Sequence, residues 1–137
     1  MAEDHEDPDI LFAGTEFGVF YTLDGGEHWE QIRSGLPTTA VRDIAIHYQE
    51  DDVVLGTFGR SFYILDDYSP LRELSRETLD KEAHIFDIAD AKMFVEYSRV
   101  GNLGGQKGFQ GETFFTADNP PVAATIRYYL KESIRNP

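Results

Sequence analysis

At 137 residues the chain has room for one domain or parts of two, and 41% apolar with 13% aromatic residues suits a folded, β-rich core. A net charge of −13 argues against a nucleic-acid partner, which needs clustered Lys and Arg, and against docking on anionic membranes. The absence of cysteine excludes disulfides, thiolate metal sites and cysteine nucleophiles, and no apolar run approaches the ~18 residues of a membrane span.

Residues 1–9 form an acidic, polar stretch with a turn at Asp7-Pro8-Asp9 and without the basic-then-apolar build of a signal peptide. Ile10 to Gly14 and Gly18 to Leu23 read as adjacent strands joined through Thr15-Glu16-Phe17. Their mixed apolar runs suit strands covered on both faces. Thr22-Leu23-Asp24-Gly25-Gly26-Glu27-His28-Trp29 is a tight reversal, because glycine supplies positive φ and an Asp side chain bonds amides just downstream. A strand from Trp29 to Arg33 follows, and then a crossing loop at Ser34-Gly35-Leu36-Pro37.

Val41 to His47, Asp52 to Thr57 and Ser61 to Asp66 are the next strands. After them Asp67-Tyr68-Ser69-Pro70 breaks the pattern. Leu71 to Leu79 reads as a short helix with Ser69 as cap and Pro70 at its first position. Ala83 to Phe86 and Lys92 to Tyr97 are strand-like, separated by Asp87-Ile88-Ala89-Asp90. Residues 101–112 are Gly-rich; without a following Lys-Ser/Thr pair they read as a flexible linker rather than a phosphate cradle. The tail turns at Asn119-Pro120-Pro121 and then alternates through Lys131.

The organising feature is a repeat. His5, Asp9, Gly14, Thr15, Phe20, Tyr21, Leu23 and Asp24 recur as His47, Asp51, Gly56, Thr57, Phe62, Tyr63, Leu65 and Asp66, all at an offset of 42. A period of about 40–50 residues built from short strands marks propeller blades of roughly four strands each. The first copy has no room for the strand that precedes His47, and the second lacks a fourth strand. His5, with acidic neighbours, is therefore read as a strand end like His47 and not as a metal ligand. The chain reads as a piece of a longer protein, cut at both ends.

Thr22, Asp24, Gly26 and Trp29 fill the signature positions of a Thr-x-Asp-x-Gly-x-x-Trp motif, which resembles the Asp-box of the BNR repeat in sialidase-like and sortilin-type β-propellers. His28 stands where that motif prefers Ser or Thr, a departure expected to weaken the turn's hydrogen bonding. The string from Leu11 to Asp67 is similar to the last blades of large bacterial proteins loosely labelled glycosyl hydrolases with sortilin-like propellers. Eukaryotic sortilins carry a Cys-rich module after the propeller, so a chain without cysteine points to the bacterial type.

The resemblance implies an all-β fold: about one and three-quarter blades over residues 1–67, an exit helix and Gly-rich linker over 68–118, and the start of a fibronectin-like sandwich over 119–137. It implies a structural role for Thr22, Asp24, Gly26 and Trp29, with the Trp packing between blades, and an extracellular or periplasmic location for the full-length protein.

Catalysis is not expected in this chain. A glycosidase needs two carboxylates roughly 5–10 Å apart, and the candidates are Glu16, Asp43, Asp66 and Asp67. Asp66 shares its repeat position with Asp24, which favours a turn role. Sialidases, by resemblance, use an arginine cluster and a Tyr–Glu pair from several blades, and only Arg42 and Arg60 lie near plausible strand ends here. His28, His47 and His84 are too scattered for a zinc site, and no cofactor is implied. Phe20, Tyr21, Phe62 and Tyr63 are expected in the core, whereas Phe17 and Phe58, in loops after the Gly-Thr pairs, are the best candidates for a sugar-stacking surface. The expected function is recognition of a glycan, a peptide or a protein, with no nucleic acid and no membrane insertion. The alternative is a fragment of a carbohydrate-active hydrolase whose active site lies mostly elsewhere. An unpaired strand edge and an uncovered apolar blade face also predict self-association or only marginal stability.

Overall fold

The computed structural model describes residues 1–91, 93 and 122–132. The expected strand at Lys92 to Tyr97, the Gly-rich stretch 101–112 and the Asn119-Pro120-Pro121 turn lie outside the described residues, Met93 excepted. Within them the chain is mostly antiparallel strands with little helix, an all-β fold. No helix among the described residues is long and apolar enough to cross a membrane.

The first sheet has four strands in the order β1 (Ala2–Glu3), β2 (Leu11–Thr15), β3 (Gly18–Thr22) and β4 (Glu30–Gln31). The second has three: β5 (Val41–His47), β6 (Asp52–Thr57) and β7 (Phe62–Leu65). A two-stranded ribbon pairs β8 (Ala83–Ile85) with β9 (Tyr128–Leu130). The tail strand thus has its partner upstream at Ala83–Ile85. The sheets belong to one compact unit; Asp87–Arg127 form another, whose described residues are irregular.

Two expectations about strand count and length are corrected. The first copy does hold a strand before its His: Ala2 pairs with Phe12 and Glu3 with Leu11, and the Asp4 amide extends the pairing by donating to the Ile10 carbonyl at 2.9 Å. The strand expected from Trp29 to Arg33 is only Glu30–Gln31, because the Trp29 indole turns back on Gly26; the Ile32 amide still reaches the Val19 carbonyl at 3.0 Å.

The helix expected to follow Pro70 is also two pieces. A 3-10 turn spans Ser69–Glu73 with Pro in its first turn, Leu74 is extended, and α1 (Arg76–Asp80) starts afresh. Ser75 caps α1 by accepting the Thr78 amide at 3.1 Å, which fits the preference of Ser for N-caps. Ser69 is not the cap, because its hydroxyl donates to Asp67 at 2.5 Å.

The first two sheets stack with β2 against β5. Ile10, Phe12 and Val19 from the first sheet meet Val41, Val53 and Leu55 from the second, with Tyr68 closing the cluster. Burying each such side chain contributes about 1.5–3 kcal/mol. In the second sheet Val53 and Leu55, with their half-buried cross-strand neighbours Ile44, Ile46, Tyr63 and Leu65, form the inner face. In the first sheet the inner face is Phe12 and Gly14, paired with Tyr21 and Val19. The glycine matters for this contact. A Cβ at Gly14 would lie 2.9 Å from both the Val41 Cγ1 and the Val41 carbonyl oxygen, closer than real Cβ atoms come.

The two copies are not in the same phase throughout. In the first hairpin Thr15 pairs with Gly18 and its hydroxyl donates to the Gly18 carbonyl; in the second, the Thr57 hydroxyl donates to Ser61, one residue farther on. Ser61 takes up the extra residue at φ 64, in the left-handed region. As a result Phe12↔Tyr21 corresponds to Val54↔Ile64, so the offset is 42 on the leading strand (54 − 12) but 43 on the returning one (64 − 21). Phe62, expected in the core, is instead 75% exposed on the outer face of β7.

Replacing Gly14 with Ala should destabilise the chain by about 1–3 kcal/mol, because Val41 is fixed in the core and its carbonyl is backbone. Gly56→Ala is the matched control: its Cβ would approach nothing closer than the Asp43 Cβ at 3.4 Å, an ordinary contact, and the expected loss in urea unfolding is below about 1 kcal/mol.

Candidate functional site

The four motif residues come together as a self-bonded turn. Thr22 is buried at the end of β3, and its hydroxyl donates to the Asp24 carboxylate at 2.6 Å while accepting the amides of Asp24 at 3.2 Å and Gly26 at 3.1 Å. Gly25 and Gly26 sit at φ 68 and 103, where side chains are strained. The Gly25 amide donates to the Asp9 carbonyl at 2.9 Å, tying the turn to the loop before β2. Trp29 closes the motif by donating from its indole nitrogen to the Gly26 carbonyl at 3.0 Å. Its ring stays 37% exposed, lying over Gly26.

His28 strengthens the turn where the sequence suggested weakening. Its amide donates to Asp24 Oδ1 at 2.9 Å, and its Nδ1 lies 2.6 Å from Asp24 Oδ2. The Thr22 hydroxyl first, and then His28, hold the exposed Asp24 carboxyl well below the usual carboxylate range. Asp24 is thus fully engaged in turn geometry. Asp24, Glu27 and His28 bring three potential metal-ligand atoms close together, but all three residues are exposed and Asp24 is already committed.

Two of the carboxylates considered for catalysis, Asp43 and Asp67, take local roles. Asp43 accepts the Ile44 amide at 3.0 Å, and Asp67 accepts Ser69. The extra residue at Ser61 makes Asp67, not Asp66, the positional counterpart of Asp24. The Tyr68 amide accordingly donates to the Asp51 carbonyl at 2.7 Å, as Gly25 does to Asp9. The Arg42 guanidinium stacks over the Phe58 ring, 5.4 Å from its centre.

The sequence reading missed a buried ionic network. Arg72, on the 3-10 turn, donates to both oxygens of Asp4 (2.7 and 2.6 Å) and both of Asp51 (3.1 and 2.7 Å), and reaches Glu6 at 3.1 Å. The Tyr68 hydroxyl donates to Asp4 at 2.5 Å, and the Arg72 guanidinium lies 5.3 Å from the Tyr68 ring centre. Burial by itself would raise the Asp4 carboxyl; hydrogen bonds from Arg72, Tyr68 and the Asp7 amide outweigh it and hold Asp4 well below the usual range. Burial and the Asp4 carboxylate together push the Tyr68 phenol up. His5 also stands beside Asp4 and Asp51, a grouping with metal-ligand spacing, but Arg72 supplies the compensating positive charge. No short-range signal marks this set, since Asp4 and Arg72 are 68 residues apart.

Of the aromatics proposed for ligand contact, Phe17 is 68% exposed and Phe58 is exposed beneath Arg42. Phe17 borders a shallow cleft with Gln31, Arg33, Leu36 and Pro37. Gln31 spans its floor: its amide nitrogen donates to the Phe17 carbonyl at 2.9 Å, and its oxygen accepts Arg33 Nε at 3.1 Å. That relay ties the Arg33 side chain, through Gln31, to the backbone of Phe17 on the same cleft.

No family model, curated protein or solved structure matches the chain.

Two outcomes test the energetics. Thr22→Val removes three hydrogen bonds and leaves the Gly26 and Asp24 amides unmet, so urea unfolding should show a loss of about 2 kcal/mol. Arg72→Met strands the buried Asp4 charge and should cost about 3–5 kcal/mol at neutral pH. The pH dependence separates the two proteins. In the wild type the folded Asp4 pKa is depressed, so its stabilisation is present above about pH 4 and is lost as pH falls. In Arg72→Met, acid neutralises the stranded carboxylate, so the same pH drop should narrow the gap between variant and wild type.

Proposed function

We propose that the chain is a non-catalytic segment of a BNR/sortilin-like β-propeller that recognises a peptide, protein or glycan, within a larger exported protein. The supporting observation is the cleft at the end of the first sheet, lined by exposed Phe17 and by the Gln31-held Arg33. An aromatic face takes the apolar face of a sugar or an aliphatic side chain, and a guanidinium takes a carboxylate or a hydroxyl pair. On a chain of net charge −13, a positioned arginine on the same cleft as an open ring gives an anionic group a local foothold.

Two further features fit this reading and disfavour hydrolysis. The repeat of 42 residues and the self-bonded turn at Thr22, Asp24, Gly26 and Trp29 suit a propeller scaffold in which the turn is structural. Among the described residues, Asp4 and Asp24 are held below the usual carboxylate range, the opposite of the upward shift that a glycosidase general acid needs.

The test is binding of glycans and peptides to the isotope-labelled chain, followed by nuclear magnetic resonance. Ligands should shift the Phe17 and Arg33 signals, and Phe17→Ala should weaken binding about tenfold without lowering the melting temperature. Turnover of fluorogenic glycosides by this chain would favour the hydrolase reading instead.

A further inference from the structure

The internal repeat places the same docking surface on the molecule twice, once covered and once open. In the first sheet, Phe12 pairs with Tyr21 and Gly14 with Val19, and this face packs on the second sheet. In the second sheet the corresponding pairs are Val54 with Ile64 and Gly56 with Phe62. They lie on the face opposite Val53 and Leu55, because successive strand residues point to opposite sides. Phe62 is 75% and Ile64 59% exposed, so this copy of the surface is uncovered.

The complementary half is present too. Val53, Leu55 and Tyr63 form the inner face of the second sheet, which the first sheet covers. Their counterparts in the first sheet are Leu11, Ala13 and Phe20, which share its outer face, each half-buried and none in the core cluster. Each molecule therefore carries both sides of one sheet-on-sheet contact, on opposite ends of its two-sheet stack.

We infer that a second copy of this chain docks the outer face of its first sheet, around Leu11, Ala13 and Phe20, onto the outer face of the second sheet at Phe62 and Ile64. The contact continues the intramolecular stacking from one molecule to the next. It is heterologous, head to tail, so it grows into a ring or a short filament rather than closing as a two-fold dimer. Net charge of −13 opposes it, so added salt strengthens association. The inference rests on the stacking alone and is independent of what the Phe17 cleft binds.

Sedimentation velocity of the full chain over a wide concentration range, at low and high salt, reads the association. The wild type should form concentration-dependent oligomers, favoured by salt. The Phe62→Ser/Ile64→Ser double variant loses one face and Phe20→Ser the other, and each alone should be monomeric, with association weakened at least tenfold. Mixed together they still hold one intact face each, so they should form a one-to-one heterodimer that does not grow. If Phe20→Ser melts early, Ala13→Glu blocks the same face. A wild type that stays monomeric at all concentrations and salts overturns the inference. So does an oligomer lost in the double variant but unchanged by both Phe20→Ser and Ala13→Glu, which would mean a two-fold contact through the second sheet only.

Discussion

Arg72 holds three distant parts of the chain to one point. Asp4 follows the first strand, Asp51 sits in the β5–β6 turn at φ 55, and Tyr68 leads into the 3-10 turn. A guanidinium is suited to this because its planar fork serves two carboxylates at once and stays charged. The Tyr68 ring below it meets Phe12 edge-on at 5.2 Å, so the ionic cluster rests directly on the apolar core. The two-residue strand β1 is placed by the same anchor, since Asp4 is fixed where β1 ends. Without Arg72, the N-terminal segment, the second sheet's turn and the exit turn share no charge balance.

Around that anchor the repeat is used asymmetrically. Both copies tie the carbonyl of an aspartate, Asp9 or Asp51, to an amide after the returning strand. The first copy completes the connection with the Thr22–Trp29 turn. The second ends it with Tyr68 and Arg72, whose side chains turn inward to the network. The loop bearing Ser61 and Gly59 at positive φ, one residue longer than its counterpart, accommodates this without disturbing β6. Its consequence is that Phe62 and Ile64, rather than Tyr63 and Leu65, point outward.

Much of this was legible in the chain itself. The strands Val41–His47 and Asp52–Thr57 stand where alternation and turn residues put them, and the reversal at Asp24-Gly25-Gly26 is dictated by glycine φ and by Thr and Asp side chains that bond local amides. These are interactions within a few residues, so the sequence carries them whole. The turn's histidine was misjudged because its spacing allows both outcomes: a residue four positions on can abandon the aspartate or add a second bond to it, and Nδ1 adds one.

What the sequence determined, then, was local: strand content, the turn, the repeat, the absence of cysteine and the acidic net charge. The tertiary structure decided the rest. Only packing selects Gly14 as the point where β2 meets Val41, and only a 68-residue closure brings Arg72 to Asp4. Which face of each sheet is buried was likewise invisible, because identical residues at an offset of 42 do not reveal that one hairpin is a residue longer. In a strand, where sides alternate residue by residue, that single residue decides whether a phenylalanine lies in the core or in the open.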